Sequence, residues 1–248
     1  MPKLRLGGCL LEFLLLILHF KSRLHFISIM EKTKEKVLYL RVRNLCGLLG
    51  VVLPWLALFS AGIAPHPSDE WWWSISATYY QSPALVGVLI PASIVLITYV
   101  GYDRLDNWVT SLSGVFGLGV VLFPCSVSWI DPSTKVGFFQ VPMHISNIVH
   151  TLCAAIFFIL LAYNSICLFT KSGGEATPRK LLRNKIYRIC GWGMIAIEVL
   201  FAINVFLPTP GYVTMLVEIV LLHLFGVSWL VKGEAISWLN DRPDENTK

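Results

Sequence analysis

LCGLLGVVLPWLALFSAGI, Leu45 to Ile63, runs for 19 residues without a charged side chain. An α-helix rising 1.5 Å per residue needs roughly 20 apolar residues to cross ~30 Å of hydrocarbon, so this stretch reads as a membrane span. Five further segments share its character: Ala84 to Gly101, Val109 to Ile130, Met143 to Phe169, Tyr187 to Leu207 and Val213 to Val231. The expected fold class is therefore all-α, a polytopic membrane helix bundle of six transmembrane helices. Composition agrees. Hydrophobic residues make up 55% of the 248-residue chain and charged residues 14%, and the mean hydropathy is +0.66. A soluble domain carries roughly a quarter charged residues, and this chain could not cover a water-facing surface. Its net charge of +5 needs no nucleic acid, because membrane proteins collect Lys and Arg on the cytoplasmic side. The six cysteines form no CxxC pair and mostly fall in apolar runs, which argues against a disulfide framework or zinc ribbon.

The basic residues set the expected orientation. Lys32, Lys34, Lys36, Arg41 and Arg43 precede the first span, and Arg104 lies between the second and third. Lys171, Arg179, Lys180, Arg183, Lys185 and Arg188 lie between the fourth and fifth, and Lys232, Arg242 and Lys248 follow the sixth. The remaining loops hold Lys135 and no other Lys or Arg. Six crossings with both termini in the cytoplasm fit this alternation, in a cell's inner (plasma) membrane with lipid as partner. Trp108 and Trp229 fall near inner ends of spans and Trp129 near an outer end, where amphipathic indoles settle. Trp55 sits too deep for such a belt. Residues 1–29 have a basic start and a short apolar core broken by Glu12, with no small-residue cleavage site. They are read as an N-terminal extension, either a start-site artefact or an interfacial helix. Residues 30–248, opening on the charged leader MEKTKEK, form the transmembrane domain.

On this topology DEWWWSISATYY, Asp69 to Tyr80, lies outside between the first two spans. One reading is an aromatic anchor at headgroup level. The other is a lid or ligand platform in which Trp72 and Tyr79 offer ring faces, and Ser74 and Ser76 offer hydroxyls. SISATYY, GYDRLDNW, SGVFGLGVVLFP and HISNIVHTLCAAIFF, in this order, resemble a group of small multi-spanning bacterial proteins. That group has an SIS-x-YY stretch after the first span, an acidic GY-x-x-x-D turn, a glycine-rich span ending in FP and a histidine opening the fourth span. The resemblance covers roughly Leu45 to Tyr187 and is distantly like the six-span layout of the DRAM and Sfk families. It implies a six-span fold and carries no catalytic residue.

Ionisable side chains in hydrocarbon cost several kcal/mol and usually face a cavity or a partner. His144 and His150 on the fourth span, Glu198 and Asn204 on the fifth, and Glu218 and His223 on the sixth all fall in the outer half or near the midplane. This asymmetry suggests an outward-facing polar cavity beneath the aromatic loop, with His150, Glu198, Glu218 and His223 sharing it. Three readings stay open: polar groups joining helices, a binding cavity for a lipid or small amphiphile, and a metal site. The six-residue separation of His144 and His150 argues against metal, because the two differ widely in helical angle. No nucleophile elbow, HExxH, P-loop or dinucleotide glycine pattern occurs in a fitting context, and no cofactor is expected. The leading expectation is a binding protein for a lipid or small amphiphile. The alternatives are an intramembrane metal-dependent hydrolase and a structural or partner-stabilising subunit. Ser113, Gly114, Gly117 and Gly119, and Gly47 with Gly50, read as close-packing helix faces. Asp103, Arg104 and Asp106 read as an exposed local salt bridge.

Overall fold

The computed structural model describes residues 6–171, 177–204 and 210–241, with side chains from residue 34 onward. The chain divides into two units, residues 1–41 and 42–248. The first holds the opening part of helix α1 (Leu6–Gly62), which passes Met30 without a break. The second holds the end of α1 and five further helices: α2 (Ala84–Thr98), α3 (Arg104–Leu122), α4 (Met143–Tyr163), α5 (Pro178–Asn204) and α6 (Tyr212–Lys232). Five of the six are long and apolar enough to cross a membrane; α2, with 15 residues, is shorter. Among the described residues the only sheet is a two-residue hairpin, Lys135–Val136 against Val141–Pro142.

Sequential helices pack antiparallel, α2 on α3, α3 on α4, α4 on α5 and α5 on α6. The last helix returns to α1: a Cβ on Gly226 would stand 2.7 Å from the Gly47 carbonyl oxygen. The bundle is apolar on its outside as well as its inside. Phe59 is 70% exposed and Ile63 76%, and Leu152, Leu200 and Ile203 also face outward. Side chains so placed would be a liability in water and are ordinary against lipid tails. The chain is a multi-pass membrane protein. One end of the bundle carries Trp71, Trp72 and Trp73 and is called the tryptophan end below. The other carries most of the Lys and Arg and is called the basic end.

Helix boundaries depart from the hydropathy reading for local reasons. The third span was expected to reach Ile130, yet α3 stops at Leu122. Pro124 forces Phe123 out of the helical region, to φ −120° and ψ 90°. The fifth span was expected from Tyr187, yet α5 begins at Pro178, a residue suited to the first helical position. The Thr177 hydroxyl accepts the Lys180 N–H at 3.0 Å and caps it. The charged first turns of α5 lower hydropathy without lowering helix propensity. α2 ends at Thr98 rather than Gly101, because Tyr99 is extended and the Gly101 N–H donates to Asn107 Oδ1 at 2.6 Å.

Two expectations at the basic end are corrected. Trp229 is no interface anchor: it is fully buried among Tyr99, Phe169 and Phe225. The acid pair is closed by Lys171 rather than Arg104, with Lys171 Nζ 2.8 Å from Asp103 Oδ2 and 2.7 Å from Asp106 Oδ1. Asp103 also caps α3 by accepting the Asp106 N–H at 2.9 Å. Lys171 and that N–H hold the Asp103 carboxyl below its ordinary range, and Asp103 in turn holds the Lys171 ammonium above its own.

Candidate functional site: a cavity at the tryptophan end

The loop between α1 and α2 dips into the bundle. Trp71 stacks on His66 with centroids 4.5 Å apart, and Trp72 stacks on Tyr212 at 6.1 Å. The Trp73 carbonyl accepts the Met215 N–H at 2.9 Å. The Trp73 ring lies so close over Gly211 that a Cβ there would come within 1.9 Å of it, so no larger residue fits. Ile75 follows, only 2% exposed, and a 3₁₀ turn (Ser76–Tyr80) leads on toward α2.

What draws this segment down is Glu218, one and a half turns into α6. Its Oε2 accepts the Ile75 N–H at 2.6 Å, with Ser74 Oγ 2.9 Å away. Its Oε1 accepts from Ser76 Oγ at 2.6 Å and from the Ser76 N–H at 3.3 Å. In every one of these contacts the carboxyl group is the acceptor. The backbone N–H groups of a loop inside an apolar bundle need such a partner, because an unpaired one costs several kcal/mol there.

A second loop, between α3 and α4, closes over the first. The Tyr80 hydroxyl donates to the Cys125 carbonyl at 2.7 Å, and Ser128 Oγ to Glu70 Oε2 at 2.5 Å. Asn147 Oδ1 accepts the Ser126 N–H at 2.8 Å. Burial pushes the Tyr80 phenol and the Cys125 thiol up from their ordinary values.

Beneath both loops lies a cavity of about 410 Å³. Its upper wall is Trp73 to Ala77 and Cys125 to Trp129, and its lower walls come mainly from α2, α4, α5 and α6, with Leu53 of α1 and Val120 of α3. Five of the residues singled out in the sequence line it: Ser74, Ser76, His150, Glu198 and Glu218. His150 Nδ1 lies 3.0 Å from the Val120 carbonyl oxygen and 2.8 Å from that of Phe123. These belong to the last turn of α3, where carbonyls lack helical partners. The contacts assign the Nδ1–H tautomer and leave Nε2 as an acceptor. Glu198 makes no hydrogen bond or ion pair among the described residues.

The other five singled-out residues are elsewhere. His144 is exposed at the start of α4, with Nδ1 3.1 Å from the Pro132 carbonyl oxygen. His223 does not share the cavity: its Nδ1 pairs with the Ile219 carbonyl at 2.7 Å and its Nε2 accepts the Trp55 indole N–H at 3.0 Å. That contact also explains why Trp55 lies too deep for a belt. Asn204 ends α5, Trp72 faces Tyr212, and Tyr79 meets the edge of Tyr80 at 5.1 Å. Among the described residues no three His, Cys, Asp or Glu side chains are grouped so as to hold a metal ion. Asn147, Ala154, Phe157 and Phe158 line the cavity with His150 and were not singled out. Their helical spacing on α4 was the available signal.

A scan against protein-family models, a search of curated proteins and a search of solved structures each return no match to the chain.

Proposed function

We propose that the protein binds a lipid or other small amphiphile in the cavity beneath the tryptophan loop. The observation that carries this reading is the cavity itself. Its volume falls within the ~300–1,000 Å³ of small-molecule sites, its walls are mostly apolar, and a few polar groups converge on it. The loop strapped to Glu218 supports a second element of the reading, in which the segment Trp73 to Ser76 is a fixed lid over the ligand. The tryptophan end faces outward and both termini lie in the cytoplasm of a cell bounded by this inner (plasma) membrane. The concentration of Lys and Arg at the other end supports that orientation. Kinship with the small six-span bacterial proteins belongs to the same proposal.

Native mass spectrometry of the protein extracted in mild detergent tests it. An amphiphile should co-purify with the wild-type chain and be lost from Ala155→Phe, which fills the α4 wall of the cavity. A folded wild-type protein that carries none, and takes none up from added lipid extract, would remove the reading.

A further inference from the structure

The charges around the cavity have one sign. Its ionisable lining residues are Glu70, Glu198, Glu218 and His150, and no Lys or Arg is among the described lining residues. Residues 205–209, which follow α5 in the sequence, include no Lys or Arg. Two of the carboxyl groups are occupied, Glu218 by the loop and Glu70 by Ser128. Glu198 is not: it faces the cavity without a protein partner. His150, 6% exposed, has committed Nδ1 to the end of α3, and its Nε2 has no partner among the described residues. The two vacant ionisable groups, the Glu198 carboxyl group and His150 Nε2, can each accept a hydrogen bond. The lining also includes the aromatic residues Trp73, Trp129 and Phe201, a residue type whose ring quadrupole attracts cations.

Resting on the binding reading above, we infer that the amphiphile held in this cavity carries a cationic amine head, with Glu198 as its counter-charge. An ammonium group brings hydrogen-bond donors to the Glu198 carboxyl group and to His150 Nε2, and it relieves a carboxyl group otherwise left bare in apolar surroundings. An anionic head would lose its water facing three carboxyl groups, with only neutral donors such as Asn147, Thr151 and Thr214 and no Lys or Arg to compensate. A neutral alcohol could donate one hydrogen bond and would leave the Glu198 charge unmatched. The same chemistry could come from an aminolipid or from a free alkylamine.

The experiment uses the full chain in non-ionic maltoside micelles at pH 7.5. Dodecylamine, dodecanol, dodecanoate and butylamine are titrated while the fluorescence of the cavity tryptophans and the melting temperature are followed. Dodecylamine should saturate at about a tenfold lower concentration than dodecanol, and dodecanoate should bind worst. Glu198→Gln should abolish the gap between amine and alcohol while leaving alcohol binding in place. Butylamine matching dodecylamine would support a free amine as the source, and a requirement for the long chain would support a lipid. Equal or tighter binding of dodecanol or dodecanoate overturns the cationic head, as does a gap that survives Glu198→Gln. If the variant does not fold, the wild-type ranking of amine, alcohol and acid decides. Failure of all the probes to bind overturns the amphiphile reading itself, a result distinct from the wrong head winning.

Discussion

Replacing Glu218 by glutamine would set a donor against a donor whichever way the amide turned. One carboxyl oxygen faces the Ile75 N–H and the other the Ser76 N–H, at 2.6 Å and 3.3 Å. An NH₂ in either place leaves a backbone donor unpaired inside the bundle, so Glu218→Gln should cost about 1–3 kcal/mol. Ser76→Ala removes one hydroxyl donor and should cost about 1 kcal/mol. Thermal unfolding in detergent would measure both, and chymotrypsin should cut at Trp71 to Trp73 faster in the glutamine variant. Equal melting temperatures and equal cleavage would mean that the loop is held by its tryptophans instead. The sequence made this much readable: a carboxyl group at that depth in the sixth span had to meet something, and serines lay in the loop above it. It did not reveal that the carboxyl group would be used up by the loop, because the loop's descent into the core depends on Trp73 fitting over Gly211. His223 misled for a similar reason. Depth along a helix is legible from the sequence, whereas the direction of a side chain depends on neighbours such as Trp55 that only the assembled bundle supplies.

The glycines of α3 act as an element rather than singly. A Cβ on Gly114 would stand 2.4 Å from the Ser93 carbonyl oxygen, and one on Gly117 2.5 Å from Ser93 Oγ. A Cβ on Gly119 would meet Cys153 Sγ at 2.5 Å. α3 is thus held against α2 by two glycines and against α4 by the third, and small residues permit this closeness where helices have no hydrophobic drive to associate in lipid. Gly114→Leu should force α2 and α3 apart and cost about 1–3 kcal/mol or more, because the obstacle is backbone and cannot rotate away. Gly87 has open space around its Cβ position, and Gly87→Leu should leave the melting temperature nearly unchanged. The pair of variants distinguishes a specific crossing from a general aversion to bulk. At the basic end, Lys171 joins the loop after α4 to the start of α3, and Asp106 is buried. Lys171→Ala leaves that carboxyl group with the Tyr102 N–H at 3.0 Å as its remaining cap partner. A loss of about 1–2 kcal/mol in a thermal melt is expected, and no loss would mean that water reaches Asp106. The small-residue faces were legible as a pattern. The partner of the acid pair was not, since Arg104 is adjacent in sequence but the carboxyl group is met by Lys171, 65 residues further on.

Across the whole molecule the two ends of the bundle differ in charge and in use. Arg43, Arg104, Lys171, Lys180, Arg183 and Lys232 gather at one end, several against aromatic rings or carbonyls: Lys232 Nζ lies 4.9 Å from the Tyr102 centroid, and Lys180 donates to the Phe169 carbonyl at 2.9 Å. At the other end Lys135, exposed in the hairpin, is the only Lys or Arg among the described residues, and the cavity with its lining residues Glu70, Glu198 and Glu218 lies there. The hydropathy of the chain made the spans readable because lipid imposes one length on all of them. The cavity was not readable in that way, since it arises where two loops and the helices beneath them fail to fill the space between them. The same segregation fixes a prediction about orientation. Lys and Arg resist transfer across the membrane during insertion, so the basic end should stay in the cytoplasm and the cavity should face outward. A cysteine introduced at Ser68, on the tryptophan loop, should react with a membrane-impermeant maleimide added to intact cells. One introduced at Arg104 should react only after the membrane is opened. A version lacking the native cysteines removes background. Labelling of the Arg104 position in intact cells with protection of Ser68 would turn the bundle over, and any ligand of the cavity would then have to come from the cytoplasm.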